Sequence, residues 1–407
     1  MKIIVLTPHF APDTAPTGTV ITRIVTELAA RGHELEVITA LPWYRDHKIE
    51  KGFEGKLVRT EDTAWGRILR LHPFPTEDKR NIPKRALAFV GFSALAAAVG
   101  RKGARADIVL AVSPPLTLGV DGWLIARARG ARFVFNIQDV YPDVAVELGV
   151  LSSPALIRSA HKLERFCYER SAAITVLSDD LRNNLAAKTS DPSKIHVIPN
   201  FVDTDAIQPA ERENTYRRQF GLSGKRVVMY AGNVGLSQSL DMVIAAARKL
   251  AHHDDLAFVI NGQGAARADL ESTASDLNNV HFIDQQPIER LPELLAAADL
   301  HLVPLKKGLA ASSVPSKTYS ILAAGRPVIA SVDPGTEIAR LVEDSGAGVA
   351  VPAEDVSAFI SALERLLSSP QELESMGNAG RTFVETWASP AAVAKAYEDL
   401  FQSLIAP

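Results

Sequence analysis

Strand-like runs of Val, Ile and Leu alternate with helix-period patterns from one end of the chain to the other, the pattern of βα units and parallel sheets. The first unit reads directly. Ile3–Leu6 is a buried strand, a Pro/Gly/Thr-rich loop runs from Pro8 to Thr19, and Ile21, Ile24, Val25, Leu28 and Ala29 share one face of the following helix. Gly32 ends that helix and Leu35–Ile38 is the next strand. Further strands are expected at Ile108–Val112, Arg132–Ile137, Ala173–Val176 and Ile195–Ile198. Asp203 to Lys225 has few large apolar residues before Phe220 and reads as linker. A second series then opens with strand Val227–Ala231, the loop Gly232 to Ser239, and a helix carrying Leu240, Val243, Ile244 and Ala247. Strands at Ala257–Ile260, Leu300–Val303, Val328–Ala330 and Val349–Val351 complete it. The expected fold class is α/β, with two doubly wound, Rossmann-like parallel sheets of similar size. Ligands of open α/β sheets bind beyond the carboxyl ends of the strands, so two such domains facing each other would enclose a cleft with one substrate on each wall. Architecture of that kind suits a two-substrate transferase without establishing the activity.

Composition narrows the class. At 407 residues the chain holds about two or three domains, and its hydrophobic share of 47% against 22% charged excludes a disordered or collagen-like chain. The single cysteine, Cys167, closes no intrachain disulfide and builds no thiolate metal cage; it suits a reducing compartment and reads as a small hydrophobe. A net charge of −3 argues against a nucleic-acid partner. The amino-terminal run Met1 to Thr7 stops at Pro8, too short for a secretory signal, and reads as a strand of a cytoplasmic protein. Ala86 to Val99 is the longest apolar run, about 14 residues where a membrane span needs about 20. Its flanks are basic: Lys79, Arg80, Lys84 and Arg85 before it, Arg101, Lys102 and Arg105 after it. Such a helix either lies in an anionic lipid interface or forms the core of an α/β domain.

Candidate chemistry concentrates in the second series. In the segment Val314 to Val328, a proline-bearing loop enters a short helix with Ser316 as N-cap and Lys317 in the first turn. Free N–H groups with a cation beside them make an anion site, and a departing diphosphate would be stabilised there. A lysine in the first turn is otherwise disfavoured by the helix dipole. The loop Gly232 to Ser239 follows a strand and opens a helix, so its N–H groups could hold phosphates. Gly262 and Gly264 serve either a ligand or a tight turn. In the first series, Asp139 follows a strand end and could steer an acceptor hydroxyl, whereas Asp143 reads as a helix cap and His9 as capping, packing or catalytic. His252-His253-Asp254-Asp255 reads as a solvated helix end and Asp203-Thr204-Asp205 as linker rather than metal ligands. No Gly-x-x-x-x-Gly-Lys-Ser/Thr loop is present and no Gly-x-Gly-x-x-Gly opens the first helix, which disfavours nucleotide triphosphatases and ordinary dehydrogenases.

The order of motifs resembles the family 4 retaining glycosyltransferases of GT-B fold, in particular the bacterial O-antigen and capsule group that includes fucosamine transferases. The resemblance rests on Pro8-His9-Phe10-Ala11-Pro12 with Gly18, Leu28-Ala29-Ala30-Arg31-Gly32-His33, Gln138-Asp139-Val140-Tyr141-Pro142-Asp143, Val197-Ile198-Pro199-Asn200, Gly232 to Gln238, and Pro315-Ser316-Lys317. It implies an acceptor-binding domain over residues 1–202, a nucleotide-sugar domain over 203–385, and a closing helix within 386–407 that crosses back to the first domain. It implies retention without an obligatory metal or other cofactor. Gly18 would lie near the donor phosphates, Asp139 at the active site, and Gly262, Gln263 and the backbone around Ile283 along the nucleotide pocket. The chain departs from the family at two places. Asn233 and Gln238 stand where most members carry Arg and Lys, and Ser312 and Ser320 where most carry two glutamates. A serine still hydrogen-bonds a ribose hydroxyl but brings no charge, so Lys317, with Lys306 or Lys307, is left to neutralise the diphosphate.

The expected catalytic residues are therefore Asp139 and Lys317, and the expected donor-binding set is Gly18, Asn233, Gln238, Gly262, Gln263, Ile283, Ser316, Lys317, Tyr319 and Ser320. Acceptor or membrane contact falls to His9, Lys84, Arg85, Arg101 and Lys102. The leading expectation is a transferase on the inner face of the cell membrane. It would move a sugar, an N-acetylated amino or deoxy sugar among the candidates, from a nucleotide-diphosphate donor, UDP-linked first, to a lipid-diphosphate-linked acceptor in cell-surface polysaccharide synthesis. Two alternatives stay open: a nucleotide-sugar epimerase, which would turn over donor alone, and a non-catalytic sugar-nucleotide scaffold, which would bind without turnover.

Overall fold

The computed structural model describes residues 1–45, 47–75, 82–147, 151–308 and 316–406, with backbone only for 82–89, 147 and 316. The chain divides into two compact units, Met1–Asn200 with Val393–Pro407, and Phe201–Ala392. In the first unit β1 (Lys2–Leu6), α1 (Pro16–Ala30), β2 (Glu34–Ala40), β3 (Val58–Thr63), β4 (Gly66–Leu71) and α2 (Ile82–Gly100) precede β5 (Ile108–Ser113) and α3 (Thr117–Arg129). Then come β6 (Arg132–Ile137), α4 (Asp143–Glu147), α5 (Pro154–Arg170), β7 (Ala173–Val176), α6 (Asp179–Ala186) and β8 (Ile195–Val197). The second unit runs α7 (Thr215–Gln219), β9 (Arg226–Ala231), α8 (Leu240–Lys249), β10 (Leu256–Asn261), α9 (Arg267–Thr273), β11 (Val280–Ile283), α10 (Leu291–Ala296) and β12 (Leu300–Pro304). It ends with α11 (Ser316–Ala323), β13 (Val328–Val332), α12 (Glu337–Asp344), β14 (Gly348–Pro352), α13 (Val356–Leu367) and α14 (Pro370–Trp387), before the closing helix α15 (Pro390–Ile405).

The first sheet has the order β3-β4-β2-β1-β5-β6-β7-β8 and the second β11-β10-β9-β12-β13-β14. The second is parallel throughout; the first carries one antiparallel pair, β3 with β4, at its edge. The two parallel-sheet units are those expected, and the antiparallel β3–β4 pair is an addition at the edge of the first. The sequence hides β4 because Arg67 and Arg70 interrupt its apolar run. Arg67 pairs with Glu36 at 2.7 Å and Arg70 with Glu61 at 2.9 Å, so partner carboxylates make both strand positions tolerable. Central strands β1, β5 and β9 are buried on both faces, as strands covered by helices on each side must be.

One further expectation changes. Asp203 to Lys225 is not a linker: Tyr216 and Leu222 are fully buried in the second core, and Tyr216 Oη accepts a 3.0 Å hydrogen bond from Asn261 Nδ2. Arg217 is likewise buried, bound to Asp299 at 2.6 Å and to the Ala297 carbonyl at 2.7 Å. A segment poor in apolar residues thus packs through one aromatic, one leucine and one satisfied guanidinium. The apolar run Ala86–Val99 lies within α2, where Phe92, Ala96 and Ala97 are buried and Ser93 donates to Asp121 of α3. That face is domain core, whereas Val90, Ala94 and Ala98 remain exposed. The closing helix enters the first unit through Tyr397, fully buried, whose Oη accepts from Asn136 Nδ2 at 2.9 Å, and through Glu398, which meets His33 at 2.9 Å and Arg31 at 3.1 Å.

Candidate functional site

The site in the second unit forms at the carboxyl ends of β9 and β10, where the two strands run in register to Ala231 and Asn261. Gly232 N–H donates to Asn261 O and Val234 N–H to Gln263 O, each at 2.9 Å, and Gly262 N–H donates to Ile283 O at 2.9 Å. The two loops are therefore laced together by backbone. A Cβ on Gly262 would stand 1.9 Å from Gly232 O, and one on Gly264 would stand 2.2 Å from Val234 O. Gly262 also holds φ at +150°, so close approach and dihedral both require glycine.

Over these loops opens a cavity of about 380 Å³, within the usual range for a small-molecule site. One wall is Gly232, Asn233, Asn261, Gly262 and Gln263; the other is Gln285, Gln286, Pro287 and Ile288 with Leu291, Leu294 and Leu295; Lys317, Ser320 and Ile321 of α11 close it. Lys317 is the single cation among the described lining residues. Its Nζ sits 4.5 Å over the Tyr230 ring and 3.4 Å from Tyr230 Oη, which itself donates to Asn233 O at 2.6 Å. Desolvation lowers the ammonium to about 8 from its ordinary 10.5. Among the described lining residues none is acidic, so the ammonium meets no fixed counter-charge from them, and an incoming anion supplies one.

In the first unit the loop after β1 carries His9, whose Nδ1 lies 2.7 Å from the buried Asp13 carboxylate. Gly18 of α1 packs directly on it, since a Cβ there would fall 2.9 Å from His9 Cβ. Gln138 donates to Asn136 at 2.7 Å and accepts from Asn200 at 2.8 Å, so these motif residues fasten strand ends to one another. Asp139 beside them is exposed, and desolvation of its carboxyl raises it above the usual value. Asp143 opens α4 and meets Lys188 at 2.6 Å. With His161 and Glu164 it forms the one group among the described residues with the spacing of metal ligands, and the Lys188 ammonium also pairs with Glu164 at 3.0 Å.

Residues 17–200 match the glycosyl transferase 4-like domain and residues 225–369 the glycosyl transferases group 1. The colanic acid biosynthesis glycosyl transferase WcaI of Escherichia coli K12 is 30% identical over 383 residues, 91% of this chain and 93% of that protein. This chain belongs to the family 4 glycosyltransferases. Its fold is that of sucrose-phosphate synthase from Thermosynechococcus elongatus, with a TM-score of 0.68 at 19% identity over 99% of both chains. It is also that of HepE from Anabaena in complex with UDP, at 0.66 and 14% identity over 99% of this chain and all of that one. The transferase is thus a two-sheet GT-B enzyme.

Within this glycosyltransferase, Asn233, Gly262, Gln263, Lys317 and Ser320 come together around the cavity. Three expected donor residues of the second unit do not line it. Tyr319 is 6% exposed and belongs to the core, because it lies on the inward side of α11. Ile283 is buried, and its carbonyl already accepts from Gly262. Gln238 turns its Oε1 back onto Gly235 N–H at 3.1 Å and so closes its own loop. The side chain of Ser316, like those of Lys84 and Arg85, and all of Ser312 lie outside the described residues. Arg101 and Lys102 are exposed past α2, Arg101 donating to Ala97 O at 2.9 Å. Sequence reasoning missed the wall Gln285 to Ile288, which carries no motif, and Tyr230, which looks like any buried strand aromatic.

Proposed function

We propose that this glycosyltransferase moves a sugar, with retention at the anomeric carbon, from a UDP-linked donor to a lipid-diphosphate-linked glycan in cell-surface polysaccharide synthesis. The observation that carries the donor half is Lys317: a lone, desolvated ammonium at the first turn of α11, facing a cavity floored by glycine-rich backbone. A leaving diphosphate matches that charge, and stabilising it as it departs lowers the barrier. The amide-rich wall Gln285 and Gln286 beside Pro287 and Ile288 offers a nucleobase both hydrogen-bonding edges and an apolar face. HepE, similar in fold, binds UDP, and WcaI bears a colanic acid biosynthesis name; both support the reading. Asp139 is assigned to the acceptor side, and the reaction has no obligatory metal.

A nucleotide-sugar thermal-shift panel, followed by labelled transfer from the best donor into lipid extracts, tests this. Acceptor-dependent product supports transfer; turnover of donor alone would support an epimerase, and binding without turnover a scaffold. No described helix is long and apolar enough to cross a membrane. Attachment to the inner face of the cell membrane is assigned to the exposed side of α2 and the basic residues Lys84, Arg85, Arg101 and Lys102 at its ends. Sedimentation with phosphatidylglycerol vesicles should carry the protein down and lose it when the four cations become Ser; unchanged sedimentation would refute that attachment.

A further inference from the structure

His9 stands at the carboxyl end of β1, where α/β sheets present ligands, and its surroundings are built to hold it still. The Asp13 carboxylate, 1% exposed, takes Nδ1 at 2.7 Å. Asp13 also accepts from Tyr44 N–H at 3.3 Å. Two clamps fix the loop beyond it: Arg70 Nη2 donates to Ala11 O at 2.7 Å, and Ala11 N–H donates to Thr22 Oγ1 at 2.9 Å. Gly18 gives way to the His9 backbone and Cβ, which any side chain at that position would displace. Two aromatic rings wall the imidazole: Trp43 stacked at 5.7 Å and 27°, and Tyr44 edge-on at 5.4 Å and 79°. The Tyr44 side chain stays 41% exposed, a large ring left in water beside a preorganised polar group.

A histidine whose Nδ1–H is committed to a carboxylate keeps Nε2 free of a proton in its neutral form, so Nε2 is a hydrogen-bond acceptor. Aromatic faces beside such an acceptor suit a saccharide, which presents C–H faces to rings and hydroxyl donors at its rim. We infer that His9, Asp13, Trp43 and Tyr44 form an acceptor-sugar subsite, in which a pyranose ring packs on the aromatic pair and one of its hydroxyls donates to His9 Nε2. Asp13 acts as a positioning residue that fixes the tautomer, and Gly18 is required by His9 rather than by a phosphate. The inference rests on the proposed transfer to a glycan acceptor.

The test is steady-state transfer from the labelled UDP-sugar into lipid-linked oligosaccharides extracted from producing cells, with UDP affinity measured by calorimetry on the same preparations. Tyr44→Ala, at an exposed ring, should raise the KM for the extract about tenfold while leaving UDP affinity unchanged. Asp13→Asn keeps the ring in place but lets the amide donate to Nδ1, which moves the proton to Nε2. It should raise the same KM about tenfold, and His9→Ala should match it without adding to it in the double variant. Unaltered acceptor KM in Tyr44→Ala and Asp13→Asn overturns the subsite, as does an equal loss of UDP affinity. Wild-type enzyme that binds UDP but labels no extract overturns the glycan-acceptor reading itself, and the subsite with it.

Discussion

The loop after β1 and the loop after β9 occupy the same place in their sheets, beyond the carboxyl end of a central strand, yet they are stiffened by different means. Side chains hold the first: Asp13, Arg70 and Thr22 tie down a loop whose partly buried imidazole lies beside two aromatic rings from the segment after β2. Backbone holds the second, because Gly262 and Gly264 let two loops approach until their amides and carbonyls pair directly. The second construction leaves one lysine facing the cavity, suited to an anion. The first leaves side-chain chemistry, suited to uncharged hydroxyls. In the proposed transfer, a donor that leaves as a diphosphate and an acceptor that attacks as an alcohol place those different demands.

The comparison can be broken at either loop. Lys317→Ala should reduce transfer about 10²- to 10³-fold, since no other described cation lines the cavity, with the melting temperature unchanged; near wild-type turnover in a labelled-donor assay would remove the lysine from its role. Gly262→Ala forces a Cβ against Gly232 O and should cost the second unit about 3 kcal/mol or more in urea unfolding, together with UDP binding. A normal unfolding curve would mean that the two loops do not depend on each other.

The third prediction concerns pH. Lys317 is held at about 8 against an ordinary 10.5 by desolvation, so between those values the unfolded chain binds more protons than the folded one. Stability of the nucleotide-free protein then rises with pH through that window. UDP affinity moves the other way, falling by up to about tenfold per pH unit above 8 as the ammonium is lost. Calorimetry from pH 7 upward should show the decline in wild type and a flat profile in Lys317→Arg; parallel profiles would sever the lysine from the diphosphate. The smallest effect belongs to the first loop: Thr22→Val removes the hydrogen bond accepted from Ala11 N–H and the one donated to Gly18 O, and should cost about 1 kcal/mol, read by urea unfolding.

Much of the framework was legible because hydrophobic period reports burial. Ile3–Leu6 and Val227–Ala231 are runs that only a strand covered on both faces explains, and the structure extends each by one residue, to Lys2 and to Arg226. Strand β4 and the segment around Tyr216 were not legible, because their burial depends on partners far along the chain. Arg70 is acceptable only with Glu61 in β3, and Arg217 only with Asp299 before β12. At the donor site the glycines and Lys317 could be picked out by type and position. Tyr319 could not be assigned a side: the inward face of an eight-residue helix is set by what it packs against. Gln285 to Ile288 carry no motif, and enter the site because β11 delivers them beside β10.

By itself the sequence determined the α/β class, the two series of βα units, and the residue types able to meet a diphosphate, since all of these are local: a period, a turn residue, a charge in a first turn. Tertiary structure alone decided which glycines must be glycines, which lysine loses its water, and that His9 faces Asp13 between two rings. Those are consequences of distances between segments, and desolvation and close approach have no value until the chain has folded.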